Sequence, residues 1–375
     1  MEKETDLRKM KTERPERVIV FMIDGWHWKA PERLSMPVFN GLIGEGTYIP
    51  RSTMILPHHP TVGEYGQMHN SSFPNPVLQA GTLFLRQGTK MLQEAFAPEA
   101  RSLFVANTKA YLSVSRGFTI NIHDPGLSDE AVVGEAIGML EGYDIKYARI
   151  HLQTPGNEGR YLSLSTRNIW GEGSPYVRSV EEADRLLGRF VSYLKSTGRW
   201  ESTLLVVTSD HGQSEKGWHP IIEEDSVVTP MLFVGPGIAK GRRLDYFEHT
   251  DLTPTLTGLM GIAAPNTDGG AGRFVRDVLA SEEADIRPRY IETLNRQLNA
   301  YNGLRARIMI AGEKDSYFSS LVSYLENELL TPEPFYHMDR FLEWYRAGSI
   351  AHLIEVNQGL LERMRRELGA LGDER

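Results

Sequence analysis

Val18-Ile-Val-Phe-Met-Ile-Asp-Gly25 decides the fold of this chain. The apolar run up to Ile23 is too short to span a membrane and lacks the alternation of a half-exposed strand. It reads as a β-strand buried on both faces, whose carboxyl end opens into a loop at Asp24-Gly25. A second run of the same kind, Ser202-Thr-Leu-Leu-Val-Val-Thr208, ends in Ser209-Asp210-His211-Gly212. Tyr147 to Leu152 and Met231 to Val234 read as further strands. Val180 to Leu194 places Ala183, Leu186, Leu187, Phe190, Val191 and Leu194 on one helical stripe, with Gly198 as its stop. Buried strands alternating with amphipathic helices predict an α/β fold with a mostly parallel central sheet flanked by helices. Ligands bind such sheets in the crevice beyond the strand carboxyl ends, so both polar clusters fall where chemistry is expected.

Composition narrows the function. The chain has 375 residues, 41% hydrophobic and 24% charged, enough for one large catalytic domain, expected over residues 16–280, and a smaller annex. Lys and Arg total 41 against 49 Asp and Glu, a net charge of −8, which argues against nucleic acid as a partner. The absence of cysteine excludes disulfides, thiolate zinc sites and cysteine nucleophiles, so any metal must sit on His and carboxylates. Met1 to Arg17 is charged throughout, and no membrane span or signal sequence is expected, which places the protein in the cytoplasm. After Gly261 the character changes. Pro265 to Gly272 is turn-rich, and residues 290–311, 317–329, 335–345 and 350–371 carry apolar residues at helical spacing. These form a helical annex over 285–375, expected to pack on the core, to join a second subunit in a homo-oligomer, or to serve stability alone.

Asp24 by itself is as readily a turn cap as a ligand. Asp210 and His211 at the end of another strand change that balance, because neighbouring carboxylate and imidazole followed by Gly212 can turn toward one ion. Carboxylate oxygens with an imidazole nitrogen suit zinc, manganese or iron better than magnesium or calcium.

Taken in order, these segments resemble a known family. Val18 to Gly25, Met36-Pro-Val-Phe-Asn-Gly-Leu-Ile-Gly-Glu-Gly46, Thr208 to Gly212, His219, Thr229-Pro-Met-Leu-Phe-Val-Gly-Pro-Gly237 and His249-Thr-Asp-Leu-Thr-Pro-Thr-Leu256 resemble the alkaline phosphatase superfamily. The match is to its nucleotide pyrophosphatase/phosphodiesterase and sulfatase branch and covers roughly residues 16 to 265. The resemblance implies metal-dependent hydrolysis or transfer of phosphate or sulfate esters, with one metal on Asp24, Asp210 and His211. It also implies that His219 contacts metal or the transferred oxygens, and that Asn70 steadies a non-bridging oxygen, although an Asn before Ser-Ser is more often a turn residue.

Two departures from the family pattern matter. Two-metal members carry an Asp and a Gly-His pair after a middle strand, and the counterpart here is Gly156-Asn-Glu-Gly-Arg160, without either ligand. His219 alone cannot complete a second tetrahedral site. Arg160 is expected to supply a fixed cation for an anionic group there, or else to make a surface ion pair. The nucleophile is the second departure. The relevant loop reads Met54-Ile-Leu-Pro-His-His-Pro-Thr-Val-Gly-Glu-Tyr65, with neither cysteine nor a Ser-x-Pro-x-Arg signature, which closes the formylglycine route of sulfatases. One reading makes Thr61 the nucleophile, activated by the metal. The other makes His58 a metal ligand in the nucleophile's place, and a third leaves the His58-His59 pair to helix capping. Trp26 is expected to wall the pocket with His27 and Trp28 or else to sit in the core, as Trp commonly does, whereas His123-Asp124 and His249 are assigned to turns and caps.

The expectation is therefore a hydrolase of a phosphodiester, phosphonate or related anionic ester using one divalent ion (zinc, manganese or iron). A non-hydrolytic single-metal enzyme with His58 as ligand, a lyase, isomerase or oxygen-using enzyme, is the first rival. A catalytically silent scaffold is the second.

Overall fold

A computed structural model describes residues 14–54, 68–70, 90–165, 167–220, 223–265, 272–286, 291–324 and 350–370. The opening apolar run forms β1 (Arg17–Ile23), buried at every position. Ile19, Phe21 and Ile23 enter one apolar layer and Val18, Val20 and Met22 the other, which is why the run shows no polar alternation. The remaining strands are β2 (Thr47–Thr53), β3 (Arg101–Ala106), β4 (Ile120–His123), β5 (Ile145–Leu152), β6 (Thr203–Thr208), β7 (Val228–Val234), β8 (Arg242–Arg243) and β9 (Phe247–Glu248). Their order is β4-β3-β5-β1-β6-β7-β2-β8, with β9 on β2. Pairings across β4, β3, β5, β1 and β6 are parallel, whereas β7 runs antiparallel to both β6 and β2. The sheet is mostly parallel, as the sequence predicts, with β7 the reversed strand.

Nine α-helices are described: α1 (Ala30–Arg33), α2 (Pro37–Ile43), α3 (Asp129–Gly142), α4 (Thr154–Ser163), α5 (Pro175–Ser196), α6 (Leu252–Met260), α7 (Ile291–Gly312), α8 (Ser316–Tyr324) and α9 (Ile350–Ala370). Helix α5 starts where Ser174 Oγ accepts from Val177 N and Pro175 presets the first turn. Its stripe, including Val180, Leu186, Leu187 and Phe190, covers one face of the sheet together with Val132 and Ala136 of α3. Leu252, Leu256 and Leu259 of α6 cover the other face. Buried Asp184 of α5 accepts from Val38 N (3.0 Å) and Phe39 N (2.8 Å), so one carboxylate satisfies the amino end of α2.

The C-terminal helices cluster through Leu298, Tyr301, Leu304 and Ile308 of α7, Phe318 and Leu321 of α8, and Leu360, Leu361 and Met364 of α9. Met54, Val227 and Val228, at the ends of β2 and β7, join the same cluster. The annex thus packs on the core beside the strand ends. Residues 335–345 of the expected helices lie outside the described residues, as does the end of the 317–329 segment beyond Tyr324. No described helix is long and apolar enough to cross a membrane.

Candidate metal centre

The β1 ladder runs one residue past the strand, with Asp24 N donating to Leu152 O at 2.9 Å. Gly25 then turns the chain at φ +58°, a left-handed conformation costly for any side chain. Its amide donates to Asp210 Oδ1 (3.0 Å), and Trp26 N donates to Ser209 Oγ (2.9 Å). The loops after β1 and β6 are stitched together by these bonds. Asp24, Asp210 and His211 consequently converge, all buried, with one ligand atom from each lying within 4.8 Å of the others.

His211 Nδ1 lies 2.8 Å from Gly212 O, and a carbonyl only accepts, so Nδ1 carries the ring hydrogen. His211 Nε2 lies 3.0 Å from Asp210 Oδ2. Two buried carboxylates side by side, with an imidazole nitrogen next to them, favour a cation between them. Burial, and then the neighbouring Asp210 carboxylate, push the Asp24 carboxyl well above the usual carboxylate range. A divalent ion relieves all three groups, and two carboxylates with one imidazole are a donor set for zinc, manganese or iron.

Support comes from residues that sequence reasoning passed over. Arg149 and His151 sit on the face of β5 opposite Ala148, Ile150 and Leu152, and both are buried. Arg149 can only donate, and its NH2 lies 3.0 Å from His151 Nδ1. His151 Nε2 therefore carries the hydrogen and donates to Asp24 Oδ2 at 3.0 Å. Arg149 NH1 contacts His69 Nε2, while the rings of Phe104 and Tyr111 lie 5.0 and 4.8 Å from the guanidinium. Tyr111 Oη donates to Asp210 Oδ2. Arg149 and His151 in an otherwise apolar strand were the available signal, since a buried charge in a central strand demands partners. Tyr111 follows β3 in a short turn and carried none.

The other candidates divide. The His219 ring packs 4.1 Å from that of His211 and stacks on Trp218 at 3.9 Å, next to the three-ligand group rather than in it. Arg160 is exposed and lies over the Trp218 ring at 5.2 Å, so it occupies the rim and not the position of a second ion among the ligands. Asn70 is fully buried, its Nδ2 facing Met91 Sδ at 3.9 Å. Trp26 corrects the sequence reading. It is fully buried in the core against Phe39, with ring centroids 4.8 Å apart, because its backbone follows the stitched loop inward; it walls no pocket. His249 is more than a cap, since its buried Nε2 lies 2.9 Å from Thr229 Oγ1 and 3.2 Å from Ser52 Oγ, linking β7 to β2. Asp124 does hold a turn, accepting from Gly126 N at 2.8 Å. His58 and Thr61 lie outside the described residues.

Residues 139–262 match the sulfatase family model. A choline-sulfatase of Rhizobium meliloti is 32% identical over 29% of this chain and 23% of its own length. The chain spans less than a third of the length of the curated relatives it matches. Among solved structures, a phosphonate monoester hydrolase from Silicibacter pomeroyi superposes with a TM-score of 0.55 at 16% identity, covering 72% of this chain and 78% of that one. The murine ectonucleotide pyrophosphatase/phosphodiesterase 5 superposes with a TM-score of 0.55 at 16% identity, covering 70% of this chain and 100% of that one.

Proposed function

Because this chain is built on the fold of the alkaline phosphatase superfamily, with a sulfatase sequence match over residues 139–262, we propose that it is a metal-dependent hydrolase of a phosphodiester, phosphonate or related anionic ester, working with one metal ion rather than two. The observation that carries this reading is the convergence of the buried Asp24, Asp210 and His211 side chains on one point. Among the described residues this is the one group of three His or acidic side chains close enough to hold an ion.

Asp24, Asp210 and His211 would hold the ion. A bound divalent ion supplies positive charge that polarises the ester and eases deprotonation of an attacking hydroxyl. The chain's own groups fix the rest. His151 holds Asp24 in one orientation through Nε2–H, and Gly25 N, Ser209 Oγ and Tyr111 Oη hold Asp210. Thr61 or a water is the attacking group in this reading. Arg160 at the rim, with His219 beneath Trp218, meets the charged part of a small anionic substrate.

Hydrolysis of bis(p-nitrophenyl) phosphate by the purified protein tests the proposal. Activity is expected with zinc, manganese or iron, and it is lost with chelator. Asp210→Asn is expected to lower it by on the order of 10³-fold, the upper range for removing one charge-stabilising group. Inactivity of the metal-loaded protein across phosphate, phosphonate and sulfate esters would sink it.

A further inference from the structure

Gln213 stands two residues after His211, and its side chain is fully buried. Neither Oε1 nor Nε2 has a hydrogen-bond partner among the described residues. A buried amide left unpaired costs about 1–3 kcal/mol for each unmet group, so a fold that keeps one needs a reason.

The surroundings of Gln213 are built for it. A Cβ at Gly159 would lie 1.3 Å from Gln213 Nε2, and a Cβ at Gly156 would lie 1.8 Å from Asp24 Oδ1. These glycines stand three apart on α4 and so share one helix face. The Asp24 carboxylate and the Gln213 amide therefore press side by side on one wall, at consecutive turns. A Cβ at Gly25 would touch both sides of the arrangement, 3.0 Å from Gly156 Cα and 3.7 Å from Gln213 Cδ and Nε2. The glycines of α4 make room for an amide in the layer of the metal ligands.

Asp24, Asp210 and His211 give an ion three donors, and a closed tetrahedral site takes four. We propose that Gln213 is a further donor of this centre, its neutral amide oxygen reaching the ion directly or through a bound water. This rests on the metal reading of the site and deepens it. An amide donor adds no charge, which leaves two carboxylates to balance a divalent cation. Full burial restricts the amide to something the size of an ion or a water, which separates this role from substrate contact.

Calorimetric titration of metal-free protein with Zn²⁺ and Mn²⁺, together with the visible absorption of the Co²⁺-loaded protein, tests this without any turnover. Gln213→Met preserves volume and removes the amide. It is expected to weaken binding by roughly 10–100-fold and to change the Co²⁺ spectrum, while the metal-free melting temperature stays the same or rises. Gln213→Glu retains an oxygen donor with a charge, and is expected to tighten binding by at least about tenfold and to sharpen its dependence on pH. Should the Met variant not fold, the Glu variant still decides. Affinities and a Co²⁺ spectrum equal to wild type in the folded variants overturn the inference and leave the hydrolase reading standing. Wild-type protein that binds none of these ions overturns both. Wild-type protein that binds the ion and hydrolyses no ester removes the hydrolase reading alone.

Discussion

Two neighbouring loop regions of the sheet carry opposite solutions to the same task. Where β1 and β6 end, Asp24, Asp210 and His211 come together and each is held by a named partner. Where β5 passes into α4, the chain offers Gly156 and Gly159 inside and Arg160 on the rim. One region concentrates negative charge around a point; the other supplies closeness of approach. The difference teaches that the α4 glycines belong to the ligand region, since they give Asp24 and Gln213 the space in which to stand.

The comparison breaks most sharply at Gly156. An aspartate placed there should not create a second ion site, because its Cβ would fall 1.8 Å from Asp24 Oδ1. We predict that Gly156→Asp binds no more than one divalent ion, loses at least about 100-fold in ester hydrolysis as Asp24 is displaced, and is less stable by about 1–3 kcal/mol. Gly41→Ala, at a helical glycine with no atom near its Cβ position, is the control expected to leave binding unchanged. Two ions bound by Gly156→Asp, counted by elemental analysis, would abolish the contrast.

His151 sharpens the comparison from the other side. It donates to Asp24 only because Arg149 occupies its Nδ1, so the orientation of the carboxylate depends on a two-residue chain along β5. We predict that His151→Phe weakens divalent-ion affinity by roughly 10–100-fold, and that His151→Gln, which can still donate, recovers part of the loss. Equal affinities in titrations of Phe, Gln and wild type would show that the burial of Asp24 alone sets its position.

How much of this was legible in the sequence follows from the same physics. β1 and β6 are found within one residue of their predicted bounds, because burial on both faces leaves an uninterrupted apolar run. Asp24, Asp210 and His211 were visible because they end those runs. β8 and β9, at two residues each, are too short to carry a pattern, and the reversal of β7 is a tertiary fact that no run of Val and Leu encodes. His151 and Arg149 were hidden inside a strand reading, and Gln213 inside a motif already accounted for by the residues before it. Trp26 shows the converse error. Proximity in sequence to a ligand suggested a pocket wall, yet the turn at Gly25 sends the indole into the core.

The smallest expected effect lies at the outer edge of the ligand region. Asp225 Oδ1 accepts from Trp28 Nε1 at 2.7 Å, and its Oδ2 lies 3.5 Å from His27 Nε2 and 3.9 Å from Lys29 Nζ. It thereby ties the loop after β1 to the segment before β7. Burial acts to raise this carboxyl, but the bonds from His27 and Trp28 and the Lys29 charge outweigh it and hold the carboxyl at about 2. A pKa depressed in the folded state stabilises above the unfolded value of about 3.9, and that stability fades as pH falls from about 4 toward about 2. Asp225→Asn keeps an acceptor for Trp28 and loses only the charge. We predict a cost below about 1 kcal/mol at neutral pH, as for a partly exposed pair, shrinking to nothing as the wild-type carboxylate protonates. Urea midpoints measured between about pH 3 and pH 7 should draw closer toward the acid end. A difference of constant size across that range would mean that shape, and not charge, holds the loop at Asp225.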